Sequence, residues 1–574
     1  MKNIYYIIIA ITISFSFTAC DSFLESFPRD EITDGTFWNS EGDVEKLMIN
    51  LYDATFPDSG IFWDETMSDN ARLEHAWWGG QKQVADGSIS PGGEAGSKPS
   101  GVWSSAYASI RKSWFILENI DKVPYSDPKN KEITIAEIRA ILAYDYSILV
   151  TYFGDVPLIT KRLTVAESKN TPRNKKEDVL SFIFEQADLA ANVLKNVPKS
   201  GSRRGKVNWE TCQAIKARTY LYQNDYANVL KVVQELKGGG YYLHTAGDTP
   251  YEDLFSGKAE TSPEIIFSRI RMPRVGDLSA GHSGNGAMFL KGMSGGDVYC
   301  AIFPSGSLVD AYPMADGRLI HEAGSTYDPQ NPYKNRDPRF YQTIIYPTGN
   351  MKYLDATTNT VKITRFDPED RTTLIAQTLY DTAEPTRTGY IWNKYIDYSV
   401  YAMTDPWDCT NDIIIFRYAD ILLMEAEALA ELKGAASAGD ICNLIDQLRD
   451  RCGAGKVNRE NYTTKEDLIN LVRNERRIEL ANEGLRYFDI IRWKQAELNT
   501  VKYGVGLVGP MYGAKMEQVD EKAPGYADPT VMVDGVKRRL VEQRYFNPAR
   551  NYLFPIPQSE RDLNTALTQN SGWD

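Results

Sequence analysis

Cysteine is scarce in this chain, with six among 574 residues, and histidine is scarcer, with four. The five cysteines beyond residue 20 (Cys212, Cys300, Cys409, Cys442, Cys452) are odd in number and show no CxxC spacing. That argues against a disulfide framework or a zinc ribbon. His75, His244, His282 and His321 are far apart, with no HExxH pattern, and no DxDxDG loop is present. No transition-metal site, EF-hand calcium loop or cofactor is therefore expected. Positive charge is also short: 64 Lys and Arg against 77 Asp and Glu give −13, with a pI near 5.1. Such a balance disfavours nucleic acid and other polyanions as ligands and leaves neutral ligands the better fit. Past residue 20 there is no run of roughly 18 apolar residues, so no later segment should cross a membrane. What the chain does have is 42% hydrophobic and 25% charged residues, enough for a large globular core, together with 34 Tyr and 11 Trp.

The first residues differ from the rest. Lys2 precedes an apolar stretch from Ile4 to Phe17, broken only by Thr12, Ser14 and Ser16. This has the form of a secretory signal h-region, too short for a mature membrane span. Phe17-Thr18-Ala19-Cys20 then looks like a lipobox, with Phe where Leu is usual. Acylation of Cys20 after removal of residues 1–19 would anchor the mature chain by its acyl CH₂ groups. Losing Lys2 takes the mature net charge from −13 to −14.

Helical periodicity dominates two regions. From Glu137 to Phe153 the apolar residues Ile138, Ile141, Leu142, Tyr146, Leu149, Val150 and Phe153 recur every three or four positions, and Gly154 stops the run. Asp178 to Val197 reads as a second helix, closed by Pro198. Trp209 to Tyr222, the turn Asn224-Asp225-Tyr226 and the run to Leu236 read as helix, turn, helix. Ala214 and Ala217 beside Tyr220 and Leu221 resemble the small and large residue usage of tetratricopeptide (TPR) pairs, without the strict repeat signature. Ile413–Leu432, Asp440–Arg451, Thr464–Asn482 and Leu485–Ala496 continue the helical pattern. Between Thr249 and Asp408 the texture turns to Gly, Pro, Asp and Tyr with short apolar runs such as Ile265–Phe267 and Thr343–Tyr346. Loops and short strands are expected there, and so long an irregular stretch points to a binding region. The expectation is a mainly α chain: a signal peptide (1–19), a tether (20–35) and one domain (36–574). In that domain, 36–248 and 409–574 form the TPR-like helix-pair scaffold and 249–408 an irregular, short-strand ligand-binding region.

A series of segments then carries a family likeness. In order they are Cys20 to Glu25, Thr36 to Glu45, Trp103 to Asp121, Glu137 to Thr160, FRYADILLMEAE at 416–427, ERRIELANEGLRYFD at 475–489 with Arg492-Trp493, FPIP at 554–557, and Gln569 to Trp573. Together they resemble the SusD/RagB family of outer-membrane nutrient-binding lipoproteins. The resemblance implies four TPR-like helix pairs carrying an irregular ligand region, and a non-catalytic role. It also implies a SusC-like TonB-dependent transporter as partner and an oligosaccharide, or in some members a peptide, as ligand. Outer-membrane anchorage facing the cell exterior would follow, although only Asp21 and Glu25 supply acid after Cys20.

Sugars present apolar C–H faces ringed by hydroxyls, so a site for them needs flat aromatic platforms beside polar side chains. The first candidate cluster is Trp63-Asp64, Asp69-Asn70 and Trp77-Trp78, the two tryptophans preceding a Gly pair; either could instead plug the core. The second is Asp297, Tyr299, Cys300 and Phe303, for which a buried strand is an equal reading. The third is Arg365, Tyr390, Trp392, Tyr395 and Trp407, where Arg365 could donate paired hydrogen bonds. The Arg and Glu residues of 475–489 read as structural ion pairs. Gly292-Met-Ser294-Gly-Gly296 matches nucleophile-elbow spacing, but no helix follows and only His321 lies downstream. The rival readings are a glycoside hydrolase, since 77 acids cannot exclude a carboxylate pair, and a peptide-capturing lipoprotein. Among glycans the reading leans to a neutral plant or microbial polymer such as fructan.

Overall fold

The computed structural model describes residues 38–58, 60–73, 80–93, 97–271, 301–355, 358, 360–365, 388–397, 410–515 and 530–574. The longer helices, with three short ones that shape the clefts, are α1 (Glu41–Thr55), α2 (Gly60–Glu65), α3 (Lys98–Asn119), α4 (Pro128–Phe153), α5 (Lys176–Leu194), α6 (Trp209–Tyr222) and α7 (Tyr226–Lys237). They continue with α8 (Gly306–Ala311), α9 (Tyr418–Lys433), α10 (Ala438–Arg451), α11 (Lys465–Glu479) and α12 (Arg486–Arg492). Successive helices pair: α3 packs on α4, α4 on α5, α6 on α7, and α9 on both α10 and α11, while α7 against α9 joins the two halves. None of the helices in the described residues is long and apolar enough to cross a membrane.

Local sequence explains where these helices begin and end. Asp127 caps α4 by accepting from the Lys129 N–H, Pro128 occupies its first turn, and Gly154 at φ 72° leaves it. Asn208 and Thr211 form a capping box on α6, Asn224 at φ 58° makes the tight turn, and Asp225 caps α7. Thr464 and Asp467 cap α11 in the same reciprocal way. The predicted α4 stripe is buried from Ile138 through Phe153, and Ala214, Ala217 and Leu221 are buried where α6 meets its neighbours.

Strands are short and paired at long range: β1 (Ala71–Leu73) with β3 (Ile302–Pro304), β2 (Ile265–Arg269) with β8 (Ile413–Arg417), and β4 (Ile344–Ile345) with β7 (Ile391–Trp392), all antiparallel. A hairpin joins β5 (Asn350–Asp355) to β6 (Thr360–Arg365). Two elements correct the sequence reading. Ile413–Arg417 is a strand, because its run of apolar residues fits a doubly buried strand as well as a helix and pairing with β2 decides it; α9 starts only at Tyr418. The C-terminal stretch also holds a three-stranded sheet of β9 (Gly509–Lys515), β10 (Thr530–Val533) and β11 (Val536–Arg544), where helix was expected to dominate.

Candidate functional site

A cleft of about 490 Å³ opens where α2, α3, α4, α6 and α12 converge. That is within the roughly 300–1,000 Å³ of small-molecule sites. Its walls are largely aromatic and aliphatic: Trp63 from α2, Val102 from α3, Tyr144, Ile148 and Tyr152 from α4, Tyr222 from α6 and Phe488 from α12. Gly484, at φ 73°, lets the turn before α12 lie close against α2; a Cβ there would lie 2.8 Å from the Ile61 carbonyl oxygen. Its N–H donates to Glu65 Oε2 at 3.0 Å, which fixes α2 against the turn leading to α12.

Three carboxylates face or border this apolar space, each differently held. Asp64 accepts from Lys98 Nζ at 2.5 Å and Gln81 Nε2 at 3.2 Å on one oxygen, and from the Tyr152 hydroxyl at 3.1 Å on the other. Asp145 is buried on α4, and its Oδ2 has no hydrogen-bond partner among the described residues. Burial pushes its carboxyl well above the usual range, opposed only by a hydrogen bond with Ser109. Glu483 lines the cleft from the opposite wall but is turned into the protein, accepting from Arg417 and Lys394. Burial opposes its ionisation most strongly, yet Arg417 and Lys394 together hold its carboxyl below the usual value. Burial in turn lowers Lys394 to about 8, with Glu483 opposing.

The predicted residues divide sharply. Asp64 lines the cleft, with Trp63 beside it. Asp69 does not: it is buried, Arg486 donates to both of its oxygens at 2.8 and 2.9 Å, and Arg477 lies at 3.4 Å. A carboxylate so fully engaged has nothing left for a sugar hydroxyl, so its expected ligand role is corrected to a structural one. Trp392 and Tyr395 are also corrected. Trp392 is 0% and Tyr395 1% exposed, the latter's ring set between Phe62 and Phe255 at 4.9 Å from each, so neither can serve as a platform. Tyr390 and Phe303 are equally buried. Arg365 stands exposed at the end of β6, opposite Asn350, and is not among the residues lining the cleft. Cys20, Trp77, Trp78, Tyr299, Cys300 and Trp407 lie outside the described residues. No group of three or more His, Cys, Asp or Glu side chains that could hold a metal occurs among the described residues.

Sequence reasoning missed Lys98, Tyr144, Asp145 and Tyr152. The signal was present: Tyr144, Ile148 and Tyr152 recur every four residues, a second stripe on α4 beside the core stripe. The 475–489 reading holds. Glu479 receives Arg339 at 2.9 Å, Arg417 at 2.8 Å and Arg451 at 2.5 Å, all essentially without exposure. Burial is the largest single influence on Glu479 and opposes its charge, yet the three guanidiniums hold its carboxyl well below the usual range.

A paired-helix scaffold with peripheral short strands and an aromatic, carboxylate-bordered cleft defines a class of ligand-binding protein. The chain belongs to the SusD family, whose model matches residues 263–573. SusD-like protein P38 of Formosa agariphila is 24% identical over 523 residues, covering 87% of this chain and 92% of the relative. Among solved structures, a SusD-like carbohydrate binding protein from Bacteroides fragilis superposes with a TM-score of 0.76 at 25% identity, covering 93% of this chain and 100% of that one. A second SusD-like protein of the same species gives 0.74 at 25% identity, over 95% and 100% of the two chains.

Proposed function

We propose that this chain is a non-catalytic cell-surface lipoprotein that captures an oligosaccharide and hands it to a SusC-like TonB-dependent transporter. The observation that carries the reading is the cleft beside α2. Trp63 gives flat apolar surface, and Asp64, oriented by Lys98, Gln81 and Tyr152, places a fixed acceptor at its edge. Family membership and the carbohydrate-binding relative support the ligand class. Lipid attachment at Cys20, an outer-membrane location facing the exterior and the transporter partner follow from the lipobox-like start and the family resemblance. Trp77 and Trp78, three and two residues before the cleft-lining Gly80 in sequence, remain candidates for the same platform.

The test is a binding screen of the chain from Asp21 onward against immobilised polysaccharides, with product analysis on the same samples. Retention on a glycan without new reducing ends is the expected result. New reducing ends would make the chain a hydrolase, and binding confined to peptides would assign it to peptide capture.

A further inference from the structure

A second cleft, of about 740 Å³, lies on the C-terminal half between α8, α11, the 495–505 turn and the β10–β11 turn. Its charge runs against the rest of the chain. In a protein of net charge −13, Arg473, Arg477, Arg486 and Lys502 all line it, with His321, against the carboxylates of Asp310 and Asp534.

The floor is positively charged by construction. Arg477 and Arg486 share the single carboxylate of Asp69, at 3.4 and 2.8 Å, so one guanidinium charge has no carboxylate of its own there. Burial lowers Arg477 to about 10, with Asp69 opposing. Asp310 is already engaged, accepting from the Tyr512 hydroxyl at 2.9 Å with Arg538 at 3.6 Å. Asp534 sits 3.5 Å from His321 at the exposed rim.

The walls supply what a saccharide needs besides charge. Tyr503 is 52% exposed at the mouth, with Lys502 Nζ 4.8 Å from its ring centroid. Arg473 reaches Glu431 with one nitrogen at 3.4 Å, while its buried Nε has no hydrogen-bond partner among the described residues. Asn470 and Gln495 add amide groups able both to donate and to accept.

We propose that this cleft is a second saccharide site selective for acidic sugars, with Tyr503 under the sugar ring and Lys502 and Arg473 facing a carboxylate or sulfate. Guanidinium and ammonium groups around an aromatic platform recognise such an anion by charge-assisted hydrogen bonds, whereas a neutral sugar leaves them unmatched. The inference rests on the glycan-capture reading only for the ligand being a saccharide. The site itself shares no lining residue with the first cleft.

The experiment titrates three forms of the full chain: unaltered, Lys502→Glu with Tyr503→Ala, and Trp63→Ala. The probes are an oligogalacturonide, its carboxyl-reduced neutral counterpart, a sulfated oligosaccharide and an acidic peptide. Lys502 and Tyr503 are both exposed, so the double variant should fold, which circular dichroism checks. The oligogalacturonide or the sulfated probe should bind the unaltered and Trp63→Ala chains alike and lose about tenfold or more in the double variant, the loss shrinking as salt rises. Which of the two binds identifies the anion. Equal binding by the double variant, equal affinity for the neutral counterpart, or binding by the acidic peptide alone would overturn the proposal. A neutral glycan lost only in Trp63→Ala, with no acidic sugar bound anywhere, would overturn it while leaving the first cleft's reading intact.

Discussion

The charges around Glu479 and those around the α2–α4 cleft are organised in opposite ways. In the first region Glu264, Glu475, Glu479 and Glu483 interlock with Arg339, Arg417, Arg449, Arg451 and Lys394, and each acid contacts at least one cation within 3.1 Å. In the second, Asp145 has no cation beside it and one oxygen without a partner among the described residues, and Asp64 depends on one lysine, an amide and a phenol. The difference separates framework from site. Charge-for-charge pairing fixes the junction of α9, α10 and α11 with the strand region, because an unpaired charge there would be very costly. Unsaturated polar atoms in an apolar cleft are instead available to a ligand.

The harshest way to break this contrast is Glu479→Ala, which removes a shared carboxylate from three buried guanidiniums at once. It should cost about 3–5 kcal/mol of stability, read as a large fall in the urea midpoint. The same carboxyl sets a pH response. Its folded-state value lies below its unfolded one, so its contribution is fully present above the ordinary carboxylate value of 4.5 and is lost only as pH falls through the depressed value. Unfolding curves should therefore show this contribution unchanged between neutral pH and about pH 5; a loss that is complete already at pH 5 would contradict the pairing.

Lys98→Met should act on the ligand rather than on the fold, by releasing Asp64. A loss of about 1–2 kcal/mol in glycan affinity is expected, measured by calorimetry. Asp145→Asn tests the opposite sign from Glu479. Its folded value is raised, so the native state binds more protons than the unfolded state above the ordinary carboxylate range, and stability falls as pH rises toward the folded value. The amide removes that loss. The variant should match the parent near pH 4 and exceed it at neutral pH by about 1 kcal/mol in urea unfolding. The smallest effect belongs to Lys46→Ala, which breaks an exposed i, i+3 pair with Asp43 and should leave the unfolding midpoint unchanged within error.

The helical scaffold was legible because its signals are local. The α4 stripe, the caps at Asn208 and Thr464 and the stop at Gly154 all lie within a few residues of what they control. Strand β8 was not, because its identity depends on β2, about 150 residues earlier in the chain. The site was half legible for a related reason. Trp63 and Asp64 could be picked out as an aromatic beside an acid, but the same logic selected Asp69, Trp392 and Tyr395. Arg486 claims Asp69, and Phe62 and Phe255 enclose Tyr395, from positions no spacing rule connects.

The cleft beside α2 is the proposed sugar site, with Trp63 as its platform. Its most direct test is a calorimetric titration of the best glycan from the screen into the parent chain and Trp63→Ala. A loss of about 2 kcal/mol, roughly 30-fold, in affinity is expected while the variant keeps its circular dichroism spectrum. Equal affinity in the two proteins would place the sugar elsewhere and rule out Trp63 as its platform.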